Sequence, residues 1–145
     1  MAHPSITGTY RLTRRELPDG TVQHSTDVRG LMSFSREFRN FSVVWQDEEG
    51  RYYSECYAAR YELTDTSYSE TSNYLIVHDQ IGGHPIHYNL DATTASSPVT
   101  VEDGKVSFDL PQQFERQLGI RVQFKNGKMT AISQGQFVDY WDKVA

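Results

Sequence analysis

Strict alternation between turn dipeptides is the feature that most constrains this chain. Leu118, Ile120, Val122 and Phe124 alternate with Gly119, Arg121, Gln123 and Lys125. Val106, Phe108 and Leu110 alternate with Lys105, Ser107 and Asp109, and Val99 and Val101 alternate with Thr100 and Glu102. A period of two sends one set of side chains to one face of a strand, and a dry face backed by a wet one is the pattern of antiparallel sheets. Asp103-Gly104 and Asn126-Gly127 separate these runs. Both dipeptides accept the positive φ angles of two-residue hairpin loops, so two hairpins are predicted there.

Turn signals at Asp19-Gly20, Glu49-Gly50 and Gly82-Gly83 carry the same punctuation along the rest of the chain. Ile6, Gly8, Tyr10 and Leu12 share one face of a first strand, and Phe41, Val43 and Trp45 share a face of another near residues 38–46. No linker, repeat or low-complexity segment divides the sequence, so residues 1–145 read as one domain. The expected fold is all-β, an antiparallel up-and-down barrel of about eight to ten strands. The Cys–Trp–Cys spacing of immunoglobulin-type sandwiches is absent. Residues 111–118, with Phe114 and Leu118 at helical spacing, are the candidate for a helical turn.

The middle strands are less regular. One face of residues 52–63 carries Tyr53, Glu55, Tyr57, Ala59, Tyr61 and Leu63, and the other carries Tyr52, Ser54, Cys56, Ala58, Arg60 and Glu62. In the next strand Tyr68, Glu70, Ser72, Tyr74, Ile76 and His78 fall on even positions. Nine tyrosines against eight leucines make a dry aliphatic core hard to build, because each buried phenol needs a partner. Mixed faces of this kind fit a barrel whose interior holds water or a ligand. Periodicity leaves open which face of residues 52–63 points inward.

The balance of charge is acidic, net −5, and no basic run accompanies it, which argues against nucleic acid or an anionic membrane surface as partner. No apolar run is long enough for a membrane span, no signal-peptide pattern opens the chain, and the single Cys56 has no internal disulfide partner. The expectation is a soluble cytoplasmic protein. Gly-rich phosphate loops, Cys-x-x-Cys, Gly-x-Ser-x-Gly and His-Glu-x-x-His are absent, so no cofactor is expected.

His78, His84 and His87 cluster within ten residues; His84 and His87 would face opposite ways on one regular strand, a turn at Gly82-Gly83 and Pro85 could bring them together, and no metal is expected. The residues singled out for acid/base chemistry are His78, Tyr57 and Arg60. An inward imidazole or phenol would move a proton, and an inward guanidinium would steady an oxyanion. The ligand-binding candidates are Phe34, Phe41, Trp45, Tyr53, Tyr61, Glu62, Tyr74, His87 and Tyr88, which offer aromatic stacking surface with polar handles.

Gly8-Thr9-Tyr10-Arg11-Leu12 at one end and Tyr140-Trp141-Asp142-Lys143 at the other resemble the lipocalin-like (calycin) superfamily, as do Asp19-Gly20-Thr21, Arg29-Gly30-Leu31-Met32-Ser33-Phe34 and Tyr57-Ala58-Ala59-Arg60-Tyr61-Glu62. Tyr10 stands where that family has Trp. The resemblance implies a small barrel, with Lys143 lying across the Tyr10 ring at its closed end. It implies one of two functions. The first is binding of a small, largely hydrophobic or aromatic molecule in the barrel cavity. The alternative is a cofactor-free isomerase or cyclase acting on a polyketide- or terpenoid-like substrate in that cavity. Aromatic residues on an outer face would equally serve a homodimer.

Overall fold

The computed structural model describes residues 4–145. Thirteen strands carry the chain: β1 Gly8–Glu16, β2 Val22–His24, β3 Val28–Phe34, β4 Phe38–Gln46, β5 Tyr52–Leu63, β6 Ser67–Asp79, β7 His87–Asn89, β8 Thr94–Pro98, β9 Thr100–Glu102, β10 Lys105–Leu110, β11 Ile120–Lys125, β12 Lys128–Ser133 and β13 Phe137–Lys143. All pairings are antiparallel, in the spatial order β7-β6-β5-β4-β3-β1-β13-β12-β11-β10-β9, with β2 on β1 and β8 on β6. The sheet curls into a half-barrel. Its two limbs meet where Ser97 on β8 donates its hydroxyl to the carbonyl of Asp109 on β10.

The two predicted hairpins form. Asp103 and Gly104 have φ of 53° and 75°, and Asn126 and Gly127 have φ of 53° and 73°. Positive φ at both central residues is the twist that lets a two-residue loop match right-handed strands. The dry face also follows the alternation: Val106, Phe108, Leu110, Ile120, Val122 and Phe124 are buried. Val101 departs from it, because β9 is an edge strand with no layer above it, and the side chain is exposed. Residues 111–118 form no helix; a single turn closes from the Gln117 N–H to the Phe114 carbonyl.

In β5 the odd positions face inward, so Tyr53, Glu55, Tyr57, Ala59 and Tyr61 are buried. In β6 the parity changes midway. The register against β5 slips between Ala58 and Ala59, leaving Asn73 as the extra residue of a bulge. Tyr68, Glu70 and Ser72 face inward before it, and Leu75 and Val77 after it. Tyr74, Ile76 and His78 therefore turn outward, instead of sharing one face with Tyr68. A second bulge in β1, between Leu12 and Arg14, likewise brings Arg15 inward.

Aromatic rings fill the space between the limbs. Tyr61, Tyr68, Phe108 and Phe124 stack in sequence at centroid distances of 5.9, 4.3 and 5.9 Å. Phe34 meets Phe124 and Tyr61 edge-on. The tyrosine surplus is accommodated phenol by phenol. Tyr10 donates to the Ile6 carbonyl, Tyr61 to the Ser35 carbonyl, Tyr53 to Glu55, and Tyr57 and Tyr68 to Glu70.

Two glycines serve close approach. At Gly30 a Cβ would stand 2.6 Å from Trp141 Cη2 and 2.9 Å from Val43 Cγ1. Gly30→Ala is expected to lower stability by about 1–3 kcal/mol through overpacking, read as a lower urea midpoint with an unchanged slope. Gly8, with φ of 149°, takes the Lys143 stem where its own Cβ would be. Lys143 thus covers Gly8 and not the Tyr10 ring. Among the described residues the cation–π partners are Arg14 with Tyr140, Arg15 with Trp45 and Phe137, and Arg39 with Tyr57.

Candidate functional site

Two places in the half-barrel concentrate chemistry, one inside and one on its outer face. Inside, Arg39 of β4 reaches Glu70 of β6 by two hydrogen bonds of 3.2 and 3.1 Å. The same carboxylate accepts the Tyr57 hydroxyl at 2.6 Å and the Tyr68 hydroxyl at 2.7 Å. Arg39 is 3% exposed and Glu70 1%. A buried charge persists only when paired and hydrogen-bonded, and four donors on one carboxylate meet that condition. Burial works most strongly against the Arg39 charge, but Glu70, Tyr68 and Tyr57 together outweigh it and hold the guanidinium above its ordinary pKa. Burial also raises the Tyr57 phenol, to about 12, with the Glu70 charge adding to the effect.

Nearer the other end, Arg15 binds Asp139 at 2.7 and 2.9 Å, under the Trp45 and Phe137 rings. Glu55 lies between the two ion pairs without a cation of its own. It accepts the Tyr53 hydroxyl and the Leu118 N–H on one oxygen, and burial lifts its carboxyl to about 7.

The outer face of β3–β5 carries a depression of about 500 Å3, within the size range of small-molecule sites. Strand register explains it. Leu31, Ser42 and Cys56 align across three strands, and so do Arg29, Val44 and Ser54. Short side chains on β4 and β5 lie between longer ones, so the surface dips. Leu31 and Val44 supply apolar wall, Arg11 and Arg29 stand at the edge, and Ser25 closes one side from the turn after β2. A second depression of about 550 Å3 adjoins it through Arg29 and Val44, and is lined by polar groups including Gln23, Asp27, Asp47 and Tyr52.

The residues singled out in the sequence divide between these faces. Phe34, Phe41, Tyr53, Tyr57 and Tyr61 are buried inside, and Trp45 stacks on Tyr53 at 4.3 Å at one end. Arg60 is outside, in an exposed ion pair with Glu37 at 2.9 Å. Glu62, Tyr74, His78 and Tyr88 also lie outside, and His87 borders a small dip at the rim with His84 and Arg116. The trio His78, Tyr57 and Arg60 is therefore not brought together: one member is in the interior and two are on the opposite face of the sheet. No three His, Cys, Asp or Glu side chains converge to hold a metal ion among the described residues.

Sequence reasoning missed Arg39, Glu70, Arg15 and Asp139. Arg39 continues the inward series Phe41, Val43 and Trp45, and Glu70 shares a face with Tyr68; a charge in phase with buried aromatics was the available signal. No family model, curated protein or solved structure matches the chain. No helix of the described residues is long and apolar enough to cross a membrane.

Proposed function

We propose that the chain binds a small, largely apolar or aromatic molecule bearing an anionic group, and that the depression on the outer face of β3–β5 receives it. The carrying observation is a depression of ligand size, walled by Leu31 and Val44 and edged by two guanidinium groups, Arg11 and Arg29, that join no ion pair among the described residues. An apolar body gains by leaving water, and an arginine at the edge fixes the orientation of an anion. The half-barrel is compatible with the lipocalin-like resemblance, whose members bind small molecules; here the interior is occupied by side chains and the outer face offers the room.

Anilinonaphthalene sulfonate, an aromatic anion, is a direct probe. It is expected to bind saturably at one site, with fluorescence gain. Leu31 is half exposed, so Leu31→Asp leaves the fold intact and should weaken binding about tenfold or more. Arg29→Ala should weaken it severalfold and reduce its salt dependence. Equal binding by wild type and Leu31→Asp would refute the assignment.

A further inference from the structure

Strand β7 ends the sheet, and its outer side pairs with no other strand. A sheet edge presents unpaired N–H and C=O groups, and Pro, Lys or a covering segment usually blunts it. His87-Tyr88-Asn89 contains neither Pro nor Lys, and Tyr88 is exposed.

The backbone directions follow from the end of β6. Gln80 N–H donates to the Tyr52 carbonyl of β5, and His84 N–H donates to the Asp79 carbonyl. Successive residues of a strand aim their backbone polar groups at opposite sides. Beyond the bulge, even residues of β6 therefore aim at β5 and odd ones at β7. Val77 and Leu75 bond to His87 and Asn89 opposite them, and Ile76 faces Tyr88 as the pair without hydrogen bonds. The N–H and C=O of Tyr88, and of Ile86 and Leu90 in phase with it, point away from β6. Among the described residues no loop takes them.

The side chains repeat this pattern. Ile86, Tyr88 and Leu90 are 47%, 64% and 74% exposed, while His87 and Asn89 between them are partly buried. The edge is also bounded. Pro85 has no N–H, and the Asp91 N–H is already bound to the Asn89 side chain. Five residues remain, 86–90, centred on Tyr88.

We propose that this edge pairs with the same edge of a second copy of the chain, antiparallel, about a two-fold axis at Tyr88. In that register Ile86 lies opposite the partner's Leu90, Tyr88 opposite the partner's Tyr88, and His87 opposite the partner's Asn89. Apolar groups meet on one face, imidazole meets amide on the other, and no like charges oppose each other. Ile-His-Tyr-Asn-Leu has the same order of polarity read in either direction, so the chain itself supplies the complement of its own edge. Such a contact is isologous and closes at two copies. It is also small, below about 1,200 Å2 in total, the size of weak and transient interfaces. The dimer therefore depends on concentration, with a Kd on the order of 0.1 mM.

Sedimentation equilibrium of the full chain up to about 1 mM reads this association. The expected result is a monomer–dimer equilibrium. Leu90→Glu and Ile86→Lys each set a charge against an apolar partner twice per dimer, and each should weaken association about tenfold or more. The two positions lie about 13 Å apart along one strand, too far to pair within a copy. Across the axis they are opposite, so the double variant should associate at least about threefold more tightly than either single. A chain that stays monomeric throughout would overturn the proposal, as would single variants that associate like wild type or a double no tighter than either single. Growth beyond the dimer would overturn it too, because it requires a contact that does not close.

Discussion

Glu70→Leu is expected to destabilise the protein by about 3–5 kcal/mol, because it leaves the Arg39 guanidinium buried without an anion. Two phenols, Tyr57 and Tyr68, lose their acceptor at the same time. For a chain of this length that loss lowers the melting temperature by roughly 10 °C or more. Adding Arg39→Met should recover part of it, since removing both charges removes the uncompensated one. Denaturant unfolding of the two singles and the double separates the terms. A Glu70→Leu variant within about 1 kcal/mol of wild type would show that the carboxylate carries little of the interior.

Phe108→Ala should cost a similar amount, about 3–5 kcal/mol, by a different route. Phe108 is fully buried and stacks on Tyr68 at 4.3 Å and near Phe124 at 5.9 Å. Its removal breaks the ring series that joins the two limbs and leaves a gap between Tyr68 and Phe124. The loss should appear as a lower unfolding midpoint, while dye binding on the outer face stays within about twofold of wild type at temperatures where the variant is folded. A parallel loss of dye affinity would tie the ligand to the interior and count against the outer-face assignment.

How legible each element was depended on whether its two faces differ. In β10 and β11 one face is apolar and the other polar, and residues such as Val122 and Phe124 could be placed inside from the alternation alone. In β5 both faces mix aromatic and polar groups, so Tyr57 and Arg60 were equally eligible. The bulge at Asn73 defeats periodicity outright, because one extra residue moves Tyr74, Ile76 and His78 to the other face. Arg39 and Glu70 lie far apart in sequence and became a pair only through the register of three strands. The same is true of the outer depression: Ser42, Ser54 and Cys56 are unremarkable singly and form a floor only in register. The resemblance implied Lys143 across the Tyr10 ring, whereas the lysine stem lies against Gly8, where the missing Cβ leaves it room. Residues 111–118 have helical spacing, yet the segment spans two limbs and spends its glutamines on hydrogen bonds within itself and to Tyr57 and Glu70.

We propose that small-molecule binding belongs to the outer face of β3–β5 and not to the space between the limbs. Backbone amide shifts recorded while anilinonaphthalene sulfonate is titrated into the full chain test it most directly. Binding on the outer face should give the largest shifts at Arg29, Leu31, Val44 and Cys56, saturating together, with Phe34, Tyr61 and Phe124 unmoved. Saturating shifts confined to Phe34, Tyr61 and Phe124 would contradict it.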